Sequence, residues 1–135
     1  MTLVVWIFAL VTAVVHILAF VWETLLFQRP SVHRGVFAIP TADVPPVRLW
    51  AFNVGFYNLF IAGGLIAGVI VWMNGNESVG RALVIYLCLF AFLAGIAIFA
   101  SDRLALSRPR GTGVGGALGQ GVSPLIALTA AALTS

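Results

Sequence analysis

The sequence contains no lysine, one cysteine, two histidines and four acidic residues, and each shortage closes off a class of function. Charged residues make up only 8% of the chain, against about 25% in soluble domains. A water-facing surface cannot be built from that supply, so lipid must be the solvent for most of the exterior. With Cys88 alone there is no disulfide framework and no paired-cysteine metal site. Cys88 lies inside an apolar run and reads as a small packing residue. Two histidines and one cysteine make no zinc ligand set. His33 sits beside Arg34 in a loop, poorly placed to join His16 as a haem ligand pair, so no metal and no cofactor is expected. No serine has a matching histidine and acid at a recognisable spacing. The glycines from Gly111 to Gly121 resemble a phosphate-cradling loop in composition only, without the lysine and hydroxyl of a P-loop.

What the chain does have is apolar length. Of its 135 residues 61% are hydrophobic, and the mean hydropathy is +1.11. Four runs predict membrane-crossing helices over about residues 2–26, 49–73, 79–100 and 114–133. The expected fold class is an all-α bundle of four transmembrane helices in a single membrane domain, residues 1–135. No basic residue precedes the first run, and it exceeds the apolar core of a secretory signal, so it reads as a retained helix. The connector 27–48 carries Pro30, Gly35, Pro40, Pro45 and Pro46 as breakers around an apolar centre, Val36 to Ile39. Asn74-Gly75-Asn76 predicts a tight turn, with Glu77 and Ser78 capping the next helix. The second connector spans 101–113.

Seven arginines give a net charge of +3. No basic face or stacking platform accompanies them, so no nucleic-acid partner is expected. Their placement instead predicts orientation. Arg29, Arg34, Arg48, Arg103, Arg108 and Arg110 fall in the first and third connectors, against Arg81 alone on the other side. Short basic loops stay cytoplasmic, so both termini are expected to be external, in a bacterial inner membrane. Trp6, Trp22, Trp50 and Trp72 fall near expected helix ends, where such rings favour the headgroup level.

The candidate site comes from the polar residues left inside the runs. Thr12, His16 and Glu23 form one stripe, since seven residues return a helix to within ~20° of the same face, ~10 Å along. Glu23 lies about one turn inside the cytoplasmic boundary and His16 near mid-membrane. Ionisable groups there cost about 2.5–3.5 kcal/mol each and usually face the bundle interior. Asn53, Tyr57 and Asn58 enter from the same side on the second helix, and Gln120 on the fourth. The other half has almost no polar side chains apart from Thr129 and Thr134. The pattern predicts a polar, cytoplasm-facing chamber with His16 at its floor. The alternative is that Glu23 pairs with a loop arginine and the amides join helices. Gly64 with Gly68, and Gly115 with Gly119, fit helix-packing seams. The leading expectation is a binding or transport module for a small molecule. An accessory subunit of a larger membrane complex and an intramembrane redox-associated enzyme are alternatives; an enzyme is the less expected outcome. The lipid bilayer is the expected surrounding partner, and homo-oligomerisation is left open.

Three elements then match a family pattern: His16-x6-Glu23, Asn53-Val-Gly55-Phe-Tyr57-Asn58 leading to Ala62-Gly63-Gly64-Leu65, and Gln120-Gly121 followed closely by Pro124. On these the chain resembles domain-of-unknown-function family 1304, small bacterial integral membrane proteins. Val15 stands where family members often have an acid, and Pro124 falls one position later than usual. The resemblance implies four helices in the inner membrane and no established activity. A more distant likeness to four-helix membrane proteins associated with quinone or thiol oxidoreductases is one of fold alone.

Overall fold

The computed structural model describes residues 1–106 and 108–133; Thr134 lies outside them. Among the described residues there are α-helices at Thr2–Phe20 (α1), Pro30–His33 (α2), Val44–Met73 (α3), Glu77–Arg103 (α4) and Val114–Ala132 (α5), and no strand. A π turn over Val21–Leu25 continues α1, and a 3₁₀ turn over Thr41–Asp43 leads into α3. Thr2–Leu25, Thr41–Met73, Glu77–Arg103 and Val114–Ala132 are each long and apolar enough to cross a membrane. The chain is therefore an all-α, multi-pass membrane protein with four spans. They form a ring in which α1 packs on α3 and α5, and α4 on α3 and α5, with α1 and α4 on the diagonal.

Residues three and four apart point inward on each span, as the helical repeat requires. The core comprises Val5, Ala9 and Ala13 of α1, Leu65 and Val69 of α3, Val84 and Cys88 of α4, and Ala127, Ala130 and Ala131 of α5. Bulky side chains such as Leu3, Phe60, Phe90 and Leu93 face outward instead. Lipid is as apolar as leucine, so these helices gain by close approach over small residues rather than by hiding large ones. At Gly64 an added Cβ would lie 2.7 Å from Leu87, and at Gly68 3.1 Å from Leu83 and Val84. Both glycines therefore serve the α3–α4 seam. Gly115 and Gly119 have open space where a Cβ would be and take no part in packing within the chain. The seam on α5 runs through Gly121 instead, 3.0 Å from where a Cβ on Gly95 would stand.

The helix ends differ from expectation for local reasons. α3 begins at Val44, not near 49, because Pro45 and Pro46 occupy its first turn, where a missing N–H breaks no intrahelical bond. Asn76, not Glu77 or Ser78, caps α4: its Oδ1 accepts from the Val79 N–H and the Ser78 hydroxyl, both at 3.3 Å. Trp50 is 70% exposed, but Trp72 is buried and meets Trp6 edge to face at 6.1 Å between centroids. Two anchors hold the connectors at the arginine-rich end. His33 Nδ1 donates to the Ile39 carbonyl at 2.9 Å. The fully buried Asp102 accepts from the Gly111 and Gly113 N–H groups at 2.9 and 2.7 Å and pairs with Arg103.

At the opposite end a Cβ on Gly80 would lie 2.6 Å from the Trp72 Cα. That neighbour is backbone and cannot swing aside. Gly80→Ala is expected to destabilise the bundle by about 1–3 kcal/mol, the usual cost of overpacking. A thermal or denaturant melt in detergent reads it, and an unchanged midpoint would refute this close approach.

Candidate functional site

Near its C-terminus α1 widens: the Leu26 N–H reaches past Trp22 to the Val21 carbonyl at 2.9 Å. A π turn adds a residue to one helical turn, and such insertions are frequent at functional sites. This one carries Glu23. Opposite it, α3 presents Gly55, where an added Cβ would lie 3.2 Å from the Glu23 and Thr24 Cβ atoms. The missing side chain lets the π turn settle against α3. The Thr24 hydroxyl donates to the Phe52 carbonyl at 3.3 Å. One turn on, Asn58 Nδ2 donates to Glu23 Oε2 at 2.8 Å and also reaches the Val54 carbonyl at 3.2 Å. Within the Asn-x-Gly-x-Tyr-Asn element, Gly55 supplies the approach and Asn58 the polar contact.

Glu23 also borders a small cavity of about 60 Å³, shared with Thr24, Gln28, Arg48 and Phe52. The Gln28 amide, turned with its oxygen toward Arg48, accepts from the guanidinium at 2.7 Å. Among the described residues the one ion pair is Arg103 with Asp102, so Glu23 is held by an amide and not by a loop arginine.

His16 belongs to a second, deeper polar cluster. It is 1% exposed, and its Nδ1 lies 2.9 Å from the Thr12 carbonyl. A carbonyl only accepts, so that bond places the proton on Nδ1 and leaves Nε2 a bare lone pair. Nε2 is buried with no partner among the described residues. The Thr12 hydroxyl donates to the Phe8 carbonyl at 2.8 Å, so the contact of 2.9 Å with Ser123 Oγ is donated by Ser123. From Trp6, the helix rises about 15 Å to His16 and about 25 Å to Glu23 at ~1.5 Å per residue. The hydrocarbon layer is ~30 Å thick.

The remaining expected site residues separate. Asn53 is exposed and Tyr57 is 60% exposed, both on the outer face of α3, away from buried His16. Helix α3 has 30 residues, a length of ~45 Å, and so overruns the hydrocarbon. Asn53 and Tyr57 lie about 28 and 22 Å from Trp72 along it, toward the arginine-rich end. Gln120 is half-buried on α5, one turn before Pro124. The bundle thus brings Glu23 and Asn58 together and does not bring Asn53, Tyr57, Gln120 and His16 around them. Thr24, Gln28 and Arg48 at the Glu23 cavity, and Ser123 in the middle of α5, complete the two clusters and carry no sequence signal beyond their polarity.

The chemistry these groups offer is acceptance of hydrogen bonds: a carboxylate with unfilled acceptor positions and an imidazole lone pair. No group of three or more His, Cys, Asp or Glu side chains suited to a metal occurs among the described residues. Removing the amide tests the pair. Asn58→Ala is expected to cost about 1–3 kcal/mol by stranding the carboxylate, whereas Glu23→Gln, which can still accept from Asn58, should cost under about 1 kcal/mol. Equal melting points for the two variants would refute the contact.

No curated protein and no solved structure matches the chain. A family profile described as "protein of unknown function" (DUF1304) matches residues 10–132, which include the His16–Glu23 stripe, the α3 element and Gln120-Gly121. The protein belongs to domain-of-unknown-function family 1304.

Proposed function

We propose that the chain is a membrane-embedded binding module for a small molecule that enters from the arginine-rich end and is anchored by Glu23. The observation that carries this reading is the Glu23 carboxylate itself, held by a single side-chain bond from Asn58 at 2.8 Å beside a polar cavity of about 60 Å³. An acid inside a membrane span is costly, less so toward the end of the span, and the hydrogen bond from Asn58 offsets part of that cost. A carboxylate accepts several bonds, so Glu23 keeps capacity for a donor. The cavity has room for a few waters or for one ammonium, amide or hydroxyl end of a ligand. The rest of the molecule would extend past Gln28 and Arg48 toward the connectors.

In this reading both arginine-rich connectors face the cytoplasm and both termini are external, following the asymmetry of short basic loops. His16, with its open Nε2, is the deeper acceptor that a donor relayed inward would meet.

Purified protein in mild detergent, screened against small amines, amides and alcohols by thermal shift, tests the anchor. Compounds that stabilise the native chain are expected to lose at least about tenfold in affinity on Glu23→Gln, a change of ~1.4 kcal/mol. Identical responses from native protein, Glu23→Gln and Asn58→Ala would overturn the reading. For the orientation, a single cysteine at position 110 in a Cys88→Ala background should resist membrane-impermeant maleimide in intact cells. Labelling from outside would reverse the topology.

A further inference from the structure

A second recess lies at the same end, apart from Glu23. It measures about 480 Å³ and runs between the connector after α2 and the start of the α4–α5 connector, with Phe37, Ile39, Val47 and Leu106 as apolar walls. Phe37 lines this groove and Phe27 the Glu23 cavity; the two rings pack at 5.9 Å between centroids and form the partition. The walls are held in place. His33 Nδ1 and the Ile39 N–H tie the connector together through the Ile39 and His33 carbonyls. Arg108 Nη1 donates to the Phe37 carbonyl at 3.3 Å.

Two charges of opposite sign line the groove, Asp43 and Arg108. Neither belongs to an ion pair among the described residues. Asp43 stands at the N-cap of α3 yet its side chain makes no capping bond, although aspartate there ordinarily does. The bond of Arg108 to Phe37 goes to a neutral carbonyl and leaves further guanidinium N–H donors. A purely anionic headgroup would meet Asp43 unfavourably, and a purely cationic one would meet Arg108. A headgroup with a phosphate and a primary amine satisfies both, the amine donating to the carboxylate and the phosphate accepting from the guanidinium. The groove's size falls within the ~300–1,000 Å³ of small-molecule sites. It lies where α3 begins and α4 ends, so its apolar walls meet the bilayer at headgroup depth. We propose that this groove binds an aminophospholipid of the surrounding bilayer, with its phosphate on Arg108, its ammonium on Asp43 and the first part of its acyl chains along Phe37, Ile39, Val47 and Leu106.

The test is titration of the full chain in mild detergent with three dioleoyl lipids, followed by native mass spectrometry. Phosphatidylethanolamine is expected to bind about tenfold more tightly than phosphatidylcholine, whose trimethylated amine donates no hydrogen bond, and than phosphatidylglycerol, which has no amine. Asp43→Asn should erase the preference for phosphatidylethanolamine over phosphatidylglycerol. Arg108→Gln should weaken both by about tenfold. Val47→Trp, which fills the groove with both charges intact, should abolish binding of all three, while Arg110→Gln and Glu23→Gln leave the titrations unchanged. If Arg108→Gln fails to fold by circular dichroism, the exposed Asp43 variant decides. Equal binding of the three lipids to the native chain, or a preference that survives Asp43→Asn, would overturn the proposal. So would displacement by soluble phosphoethanolamine at concentrations comparable to the lipid, since the apolar walls would then contribute nothing.

Discussion

Helices in lipid gain nothing by burying leucine, and this bundle depends on that constraint throughout. Its interior is largely alanine, glycine and valine while leucine and phenylalanine face outward, the inverse of a soluble core. Attraction must then come from backbones brought close enough for dispersion and polar contacts to act. The α3–α4 seam at Gly64 and Gly68 and the α4–α5 seam at Gly95 and Gly121 are the places where it does. Gly55 extends the same device to the π turn, and only because α3 closes there can Asn58 reach Glu23. The candidate site is therefore a product of helix packing.

The two ends of the bundle solve different problems. At one end Asn74–Asn76 makes a short turn, Trp6 and Trp72 pack together, and Arg81 donates to the Ala131 carbonyl at 3.0 Å. That end is closed and regular. At the other, long irregular connectors must satisfy their backbone groups without a helix or sheet ladder. They do so through backbone turns such as the Ile39 N–H on the His33 carbonyl, and through side chains: His33 donates to the Ile39 carbonyl, and Asp102 accepts from the Gly111 and Gly113 N–H groups. Both cavities bordered by charged side chains, at Glu23 and at Asp43 with Arg108, lie at this end.

The fold was legible because hydropathy alone sets four spans, and that Glu23 and Asn58 share a level of the bundle was legible because helical rise is constant. Facing was harder. Asn53, Tyr57 and Asn58 lie within two turns of one another, but which of them turns inward depends on the phase of α3, whose apolar residues are spread around the helix. The small residues hold that phase: Ala51, Gly55, Ala62 and Gly68 are buried, and Asn58 lies between Gly55 and Ala62 on the same line, leaving Asn53 and Tyr57 outside. Pro45 and Pro46 read as breakers because a proline interrupts a helix everywhere except its first turn. Gly115 and Gly119 share the spacing of a seam, and spacing says nothing of which side a neighbour occupies.

Asp102 had no sequence signal, yet it holds the glycine-rich approach to α5. A helix N-terminus with free N–H groups is a ready anion receptor. Here the anion is the chain's own: Asp102 takes the Gly111 and Gly113 N–H groups from within, completely buried. The N–H of Gly113, the N-cap of α5, is thereby taken, as is that of Gly111 two residues before it. Arg103 is drawn to Asp102 and Arg48 to Gln28, while Arg108 lines an open groove, with its Nη1 on the Phe37 carbonyl and its Nη2 beside Gly113, near Asp102. In the proposed lipid site the phosphate is met by Arg108 while Asp43 adds the opposite charge, so recognition there rests on side chains and not on a helix N-terminus.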